Sequence, residues 1–254
     1  MPLNIAGTII NGTTFQTFRH ANIVKRGLVF YTNTGSNDSY IGTGTLLRDM
    51  SGNRNHITLV NSPTFSSSNG GYLSFNGSSQ YGTSTYSTLY DFLDAKFTVG
   101  VWFYYNTQSA NASQILCSRA SYGSNERSFE FYASSNGSNV PYIWFGTYNS
   151  GWTYVNDSAQ TNISYNQWTY AVGTSDGAGV GKVYVNGALK QTNSSFNTAL
   201  TKTVVPVQIG AYNGSVGTGS YFNGNIAIVQ LYNRELTSAE IQQNYNDQRN
   251  RFGV

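Results

Sequence analysis

Residues 125–134 read NERSFEFYAS and set two glutamates four positions apart in an alternating run. A strand sends residues i, i+2 and i+4 to one face. Glu126, Ser128 and Glu130 are therefore expected on one side, and Arg127, Phe129 and Phe131 on the other. Two carboxylates on one sheet face are the equipment of a glycoside hydrolase, one protonating the leaving oxygen while the other attacks or activates water. The spacing alone does not decide the matter. Cα atoms at i and i+4 lie about 13 Å apart in a strand, whereas retaining chemistry needs carboxyl groups about 5–5.5 Å apart. The competing expectation is a solvated face with the glutamates paired to Arg119 or Arg127, and it is favoured because glutamate is mostly exposed.

A second candidate is aromatic. The stretch PYIWFGTYNSGWTYV, 141–155, places Tyr142, Trp144 and Tyr148 on one strand face and Trp152 just beyond a turn. An aromatic ring can cover the apolar face of a pyranose and keep water off it. Neighbouring Asn, Ser and Thr can exchange hydrogen bonds with sugar hydroxyls. Trp144, Tyr148 and Trp152 are thus the candidate carbohydrate-binding residues. Ile143 and Phe145 are apolar too, so burial of this strand on both faces is the competing expectation.

Other chemistries find little support. His20 and His56 are the only histidines, and neither stands in an H-E-x-x-H spacing or beside a nucleophile motif. GAGVGK at 177–182 resembles a phosphate loop, but Asp176 and Val183 stand where Gly and Ser or Thr are needed, and the stretch lies in a hairpin. Cys117 is alone and is expected to be a buried, unreactive thiol. No catalytic residue, metal ligand or cofactor is assigned.

The elements that must position these side chains are strands. Charged residues are only 10% of the chain, against about a quarter in ordinary domains. Aromatics reach 15%, enough surface to bury a core, which excludes disorder. The net charge of +3 is spread over separated residues such as Lys25, Arg48, Lys182 and Lys202, so no nucleic-acid surface is expected. No run approaches the length of a membrane-spanning helix, and MPLNIAGTIINGTTF lacks the pattern of a signal peptide.

Residues 1–26 are polar and weakly patterned, and the two equal expectations are an arm for attachment or assembly and a frayed terminus. Strand-like runs then follow at 27–31, 56–60, 71–75, 97–105, 113–119, 127–133, 142–148, 168–174, 181–187, 206–212 and 226–233, separated by turn residues. Asn186-Gly187 predicts a two-residue type I′ hairpin. LTSAEIQQNY predicts one C-terminal helix opened by a capping box from Thr237 to Glu240. The expected fold is all-β, a two-sheet antiparallel sandwich with one short C-terminal helix and an N-terminal arm.

The ordered set LVFY (28–31), DMSGNRNH (49–56), GGYLSFNGSSQY (70–81), FTVGVWFYY (97–105), QWTYAVGTSDG (167–177), VYVNG (183–187), VQIGAY (207–212) and FNGNIAIVQLYNRELTSAEIQQNYN (222–246) resembles the laminin-G-like family of concanavalin A-like jelly rolls. The resemblance covers roughly 27–250 and implies a jelly-roll domain over 27–254 with one concave sheet. Laminarinase-like glycosidases of this fold carry E-x-D-x-E on a concave strand. Here Ser128 replaces the central aspartate of that motif, and a hydroxyl lacks the charge that helps hold two carboxyls in opposite protonation states. Family members often bind calcium through acidic loop residues, but Asn76 and Gln80 stand at two of the acidic places, and Ala227 follows Ile226 at a third. Asp49 remains, read as a turn aspartate bonding nearby amides.

The ending EIQQNYNDQRNRFGV is most similar to virion proteins of tailed bacteriophages. That similarity implies a non-enzymatic, homo-oligomeric structural protein of the virion surface, assembled in the host cytoplasm, as capsid decoration or as a tail or fibre component. Its partners would be a major capsid or tail protein and, as an extra, host surface glycans. The alternatives are a glycan-recognising adhesin module on the tail and, further off, a laminarinase-like hydrolase.

Overall fold

The computed structural model describes residues 22–92, 94–109, 112–121, 126–156, 163–212 and 220–254. In chain order the strands are β1 (Leu28–Asn33), β2 (Leu46–Leu47), β3 (Ile57–Val60), β4 (Thr64–Ser66), β5 (Tyr72–Asn76), β6 (Tyr81–Ser84), β7 (Lys96–Tyr105), β8 (Ser113–Ala120), β9 (Arg127–Ser135), β10 (Pro141–Tyr148), β11 (Trp152–Asn156), β12 (Trp168–Asp176), β13 (Gly181–Val185), β14 (Ala188–Asn193), β15 (Gln208–Ile209) and β16 (Asn223–Tyr232). Helix α1 (Ser238–Gln248) follows. One sheet runs β14-β13-β12-β7-β16-β5-β4, with β1 also paired to β16, and the other runs β11-β10-β9-β8-β15-β6-β3-β2. Every pairing is antiparallel. The expected two-sheet jelly roll is the fold observed.

The two sheets differ in what covers them. β7 is apolar on both faces, and both are buried. Phe97, Val99, Val101 and Phe103 point between the sheets, while Trp102 points outward beneath the C-terminal segment. There its indole stacks on Phe252 at 4.2 Å and donates from Nε1 to Gln248 Oε1 at 2.6 Å. Thr237 caps α1 reciprocally with Glu240, as expected. Arg251, just past the helix, donates to Asn33 Oδ1 at 2.5 Å and to the Asn69 carbonyl at 2.7 Å, which ties the chain's end to the sheet edge. The outer face of this first sheet is therefore closed by packing over the β7–β12–β16 region. In the second sheet, Phe129, Phe131, Ile143 and Phe145 fill the inter-sheet core against Phe97, at 5.2 Å for Phe129 and 5.6 Å for Phe145. Cys117 lies in the same core, and burial pushes its thiol pKa up.

Local signals held where they were strong. Asn186 and Gly187 adopt φ of 51° and 81°, the left-handed pair a type I′ turn requires. The GAGVGK stretch is the bend between β12 and β13 and the start of β13, and in it Asp176 Oδ1 accepts from the amides of Ala178 and Val180. The strand expected over 206–212 shrinks to Gln208–Ile209, because Gly210 turns the chain with φ 79°. Of the expected arm, residues 1–21 lie outside the described residues. Its last part is docked: Ile23 and Val24 are buried under α1, and the Val24 amide donates to Asn244 Oδ1 at 2.8 Å. None of the described helices is long and apolar enough to cross a membrane.

Candidate functional site

β9, β10 and β11 stand side by side at one end of the second sheet. Period-two alternation splits each of them between core and exterior. On β10 the inward residues are Ile143, Phe145 and Thr147, all buried, while Tyr142, Trp144 and Tyr148 are half-buried on the outer face. The competing expectation, burial of this strand on both faces, is thereby corrected. The sheet is two-sided here because nothing among the described residues is laid over it as α1 is over its partner.

Register then brings distant residues together. Gly146 pairs with Glu130 on one side and Tyr154 on the other, and Tyr148 pairs with Trp152 across the β10–β11 turn. Gly146 has no side chain, and the Trp144 indole lies back over the gap, so that a methyl group at 146 would overlap the ring. Around it the ring centroids of Tyr132, Tyr154 and Trp152 lie 4.6, 5.1 and 5.9 Å away. These rings wall an open pocket of about 300 Å³ with Arg127, Glu130 and Tyr212. Trp144 and Trp152 line it. Tyr148 flanks it, 5.3 Å from the Trp152 ring.

The role of Gly146 is testable. Gly146→Ala is expected to keep the sandwich intact but tilt the Trp144 ring out of place. Tryptophan emission should then shift, because the surroundings of the indole change. Unchanged emission would refute this placement.

The expectation of two glutamates on one solvated face fails for Glu130, which is buried, while Glu126 is exposed. Between β8 and β9 the register slips, with Phe129 opposite Arg119 but Arg127 opposite Ala120. This extra residue is a β-bulge. It turns Arg127 onto the pocket side with Glu130, where strict alternation had placed them on opposite faces. Glu126 lies before the strand, and among the described lining residues Glu130 is the sole carboxylate. Nor does Arg119 meet either glutamate. In register with Phe129, it points to the core side and pairs with Asp91 at 2.6 Å.

Glu130 is 4% exposed. The Tyr132 hydroxyl donates to its Oε2, and the Tyr132 and Tyr212 hydroxyls bond each other. Burial pushes the carboxyl up to about 7, opposed by these hydroxyls and by the charge of Arg127. Such a group can donate or accept one hydrogen bond to a ligand. Among the described lining residues no second carboxyl stands beside it, and glycoside hydrolysis uses a pair.

The loops once considered for calcium are occupied with their own backbone. Asp49 accepts from the amides of Tyr31, Ser51 and Asn55 at 3.0, 2.8 and 3.0 Å, the turn role expected of it. Asn76 Oδ1 accepts from the amides of Ser78, Ser79 and Gln80. Among the described residues no cluster of three His, Cys, Asp or Glu side chains could hold a metal ion.

Sequence reasoning nominated Trp144, Tyr148 and Trp152, of which Trp144 and Trp152 line the pocket, but missed Arg127, Tyr132, Tyr154 and Tyr212 as neighbours of it. Alternation in RSFEFY and WTYV already set Tyr132 with Glu130, and Tyr154 with Trp152. Tyr212 carries no local signal, since it arrives from beyond β15.

A family model described as the concanavalin A-like lectin/glucanases superfamily matches residues 76–242. Among solved structures, domain 4 of AbnA, a GH43 extracellular arabinanase from Geobacillus stearothermophilus in complex with arabinotriose, superposes with a TM-score of 0.62 at 17% identity, covering 86% of this chain and 98% of that one. The binding domain of botulinum neurotoxin DC in complex with SialylT gives a TM-score of 0.62 at 12% identity, covering 88% and 52%. The binding domain of Paraclostridial mosquitocidal protein 1 gives 0.66 at 13%, covering 87% and 52%. The chain thus spans nearly all of the arabinanase domain but about half the length of the toxin binding domains. At these identities the likeness establishes the shared fold. No curated protein matches the sequence at a significant level.

Proposed function

The chain belongs to the concanavalin A-like lectin/glucanases superfamily, and from that premise we propose that it is a non-enzymatic carbohydrate-binding module that uses the open pocket on β9–β11. The observation that carries this reading is the aromatic wall of Trp144, Trp152 and Tyr154 on a sheet face left uncovered, with polar groups at its base. The ring faces supply apolar area for a pyranose, and Glu130, Tyr132 and Tyr212 offer hydrogen bonds to its hydroxyls. Structural neighbours described as binding domains, and an arabinanase domain solved with arabinotriose, support it. Trp144, Tyr148 and Trp152 are the proposed contact residues.

Trp144→Ala and Trp152→Ala are each expected to weaken binding to host surface polysaccharide about tenfold, roughly 1.4 kcal/mol, in a glycan array or isothermal titration. Retained affinity in both would sink the assignment. A hydrolase would instead release reducing ends from β-glucans and lose that activity in Glu130→Gln.

The setting we propose is the surface of a tailed-phage virion, assembled in the host cytoplasm, with the module as a homo-oligomer attached through its N-terminal arm to a capsid or tail protein. The similarity of the C-terminal segment to phage virion proteins supports this, as does the low charge of the chain. A tail or fibre position would put the pocket to use as an adhesin; a head position would make the protein a decoration. Immunogold labelling of particles separates the two, and absence of label from intact particles would refute the virion setting.

A further inference from the structure

We propose that the saccharide taken by this pocket is an acidic one, a glycan bearing a sugar carboxylate that is received by Arg127. This inference rests on the carbohydrate-binding reading above and specifies its ligand.

The argument begins with the bulge. Without the register slip at β8–β9, Arg127 would share the core-facing side of Phe129; with it, the guanidinium lines the pocket. There it lies 5.8 Å from the Tyr148 ring centroid and 5.9 Å from that of Trp152. A guanidinium held against aromatic faces keeps its in-plane N–H groups, and their fork matches the two oxygens of a carboxylate. Two rings also restrict the side chain before any ligand arrives, so less conformational freedom remains to be lost on binding.

The charge balance points the same way. Arg127 is the only arginine or lysine among the described residues lining the pocket, and none of the ion pairs among the described residues includes it. Glu130, the only carboxylate there, accepts from the Tyr132 hydroxyl, which also bonds that of Tyr212. Its carboxyl is pushed up to about 7 by burial, so it sets less than a full negative charge against an incoming anion at neutral pH and little below it. The arrangement is one cation beside a stacking wall, which fits a ring that is apolar on one face and carries one anionic substituent at its edge. A neutral sugar would leave that cation without a counter-charge from the ligand.

The test compares probes that differ only in charge. Trigalacturonate is set against its methyl ester, and 3′-sialyllactose against lactose, by isothermal titration with the full chain at 50 and 300 mM NaCl. At least one acidic probe is expected to bind about tenfold tighter than its uncharged counterpart, a preference that shrinks at the higher salt. Arg127→Met, which keeps the aliphatic stem over the rings, should cost the acidic probe about tenfold more than the neutral one. Matching melting curves for the variant and the parent chain would show that the fold survives. Equal binding of charged and uncharged partners, or an acid preference that persists in Arg127→Met, overturns this inference while leaving the carbohydrate-binding reading standing. Binding of none of the four, and of no glycan on an array, overturns both.

Discussion

Arg119→Met is expected to lower the free energy of unfolding by about 3–5 kcal/mol, the range seen when one partner of a buried charge pair is removed. The arginine side chain is 0% exposed and its partner Asp91 is 12% exposed. Besides Asp91, the guanidinium donates to the carbonyls of Tyr90 at 2.6 Å, Thr203 at 2.7 Å and Val205 at 3.0 Å. It thus joins β8 to two segments that have little regular pairing of their own, the 3₁₀ turn Thr88–Tyr90 and the stretch 203–205. Methionine fills part of the volume but leaves three carbonyls without this donor and the Asp91 carboxylate without its cation. Urea denaturation should show a lower midpoint with the slope unchanged. An Asp91→Asn change, which keeps an acceptor, should cost less. A midpoint within error of the parent chain in Arg119→Met would refute the latch.

Glu130→Gln is expected to change the pH dependence of stability. In the unfolded chain this carboxyl ionises near its ordinary value of 4.5, whereas burial holds it at about 7 in the folded one. Below the lower value both states carry the proton, and the contribution to stability is fully present. Between the two the unfolded chain releases its proton while the folded chain retains it, so stability falls as pH rises, and the loss is complete above about 7. A shift of this size sets an upper bound on the order of 3 kcal/mol. The true figure is smaller because the pocket is open to water.

The groups facing this carboxyl are Tyr132 on its own strand, Tyr212 after β15, and Arg127. Neither tyrosine titrates in that window, since burial drives both further up. Glutamine keeps an acceptor for Tyr132 and cannot ionise. The variant should therefore match or trail the parent at pH 5 and exceed it by about 1–2 kcal/mol at pH 8, read from paired chemical or thermal melts. Parallel stability curves for the two proteins would show that Glu130 carries no such linkage.

Both expectations concern residues whose surroundings are spread along the chain, and the same division runs through the whole molecule. Signals contained within a few neighbours were legible. Asn186-Gly187 prescribes its turn because few other residue pairs accept two successive left-handed conformations. Thr237 and Glu240 prescribe the start of α1 because they satisfy one another's orphan amides. The core faces of β9 and β10 follow from alternation, since a pleated strand has only two sides. Even the aromatic pocket residues Trp144 and Trp152 could be nominated, because both lie on the outward phase of β10–β11.

Where strands met was not legible. The short β2, β4 and β15 are strands only because neighbours offer them partners, and two or three residues carry no period of their own. The bulge that turns Arg127 into the pocket arises from the pairing of β8 with β9, and neither strand encodes it alone. Trp102 stands in an apolar run with nothing local to distinguish it, yet it faces away from the inter-sheet core and is buried by Phe252 and α1, which are folded over it from the far end of the sequence. The sequence by itself thus determined most of the longer strands, the Asn186-Gly187 turn, the helix cap and the core faces of β9 and β10, all set by interactions between near neighbours. The tertiary structure alone decided which sheet face stays open, that Arg127 joins Glu130 there, and that Tyr212 completes the cluster. Those outcomes depend on contacts between segments scores of residues apart, and no local pattern specifies such contacts.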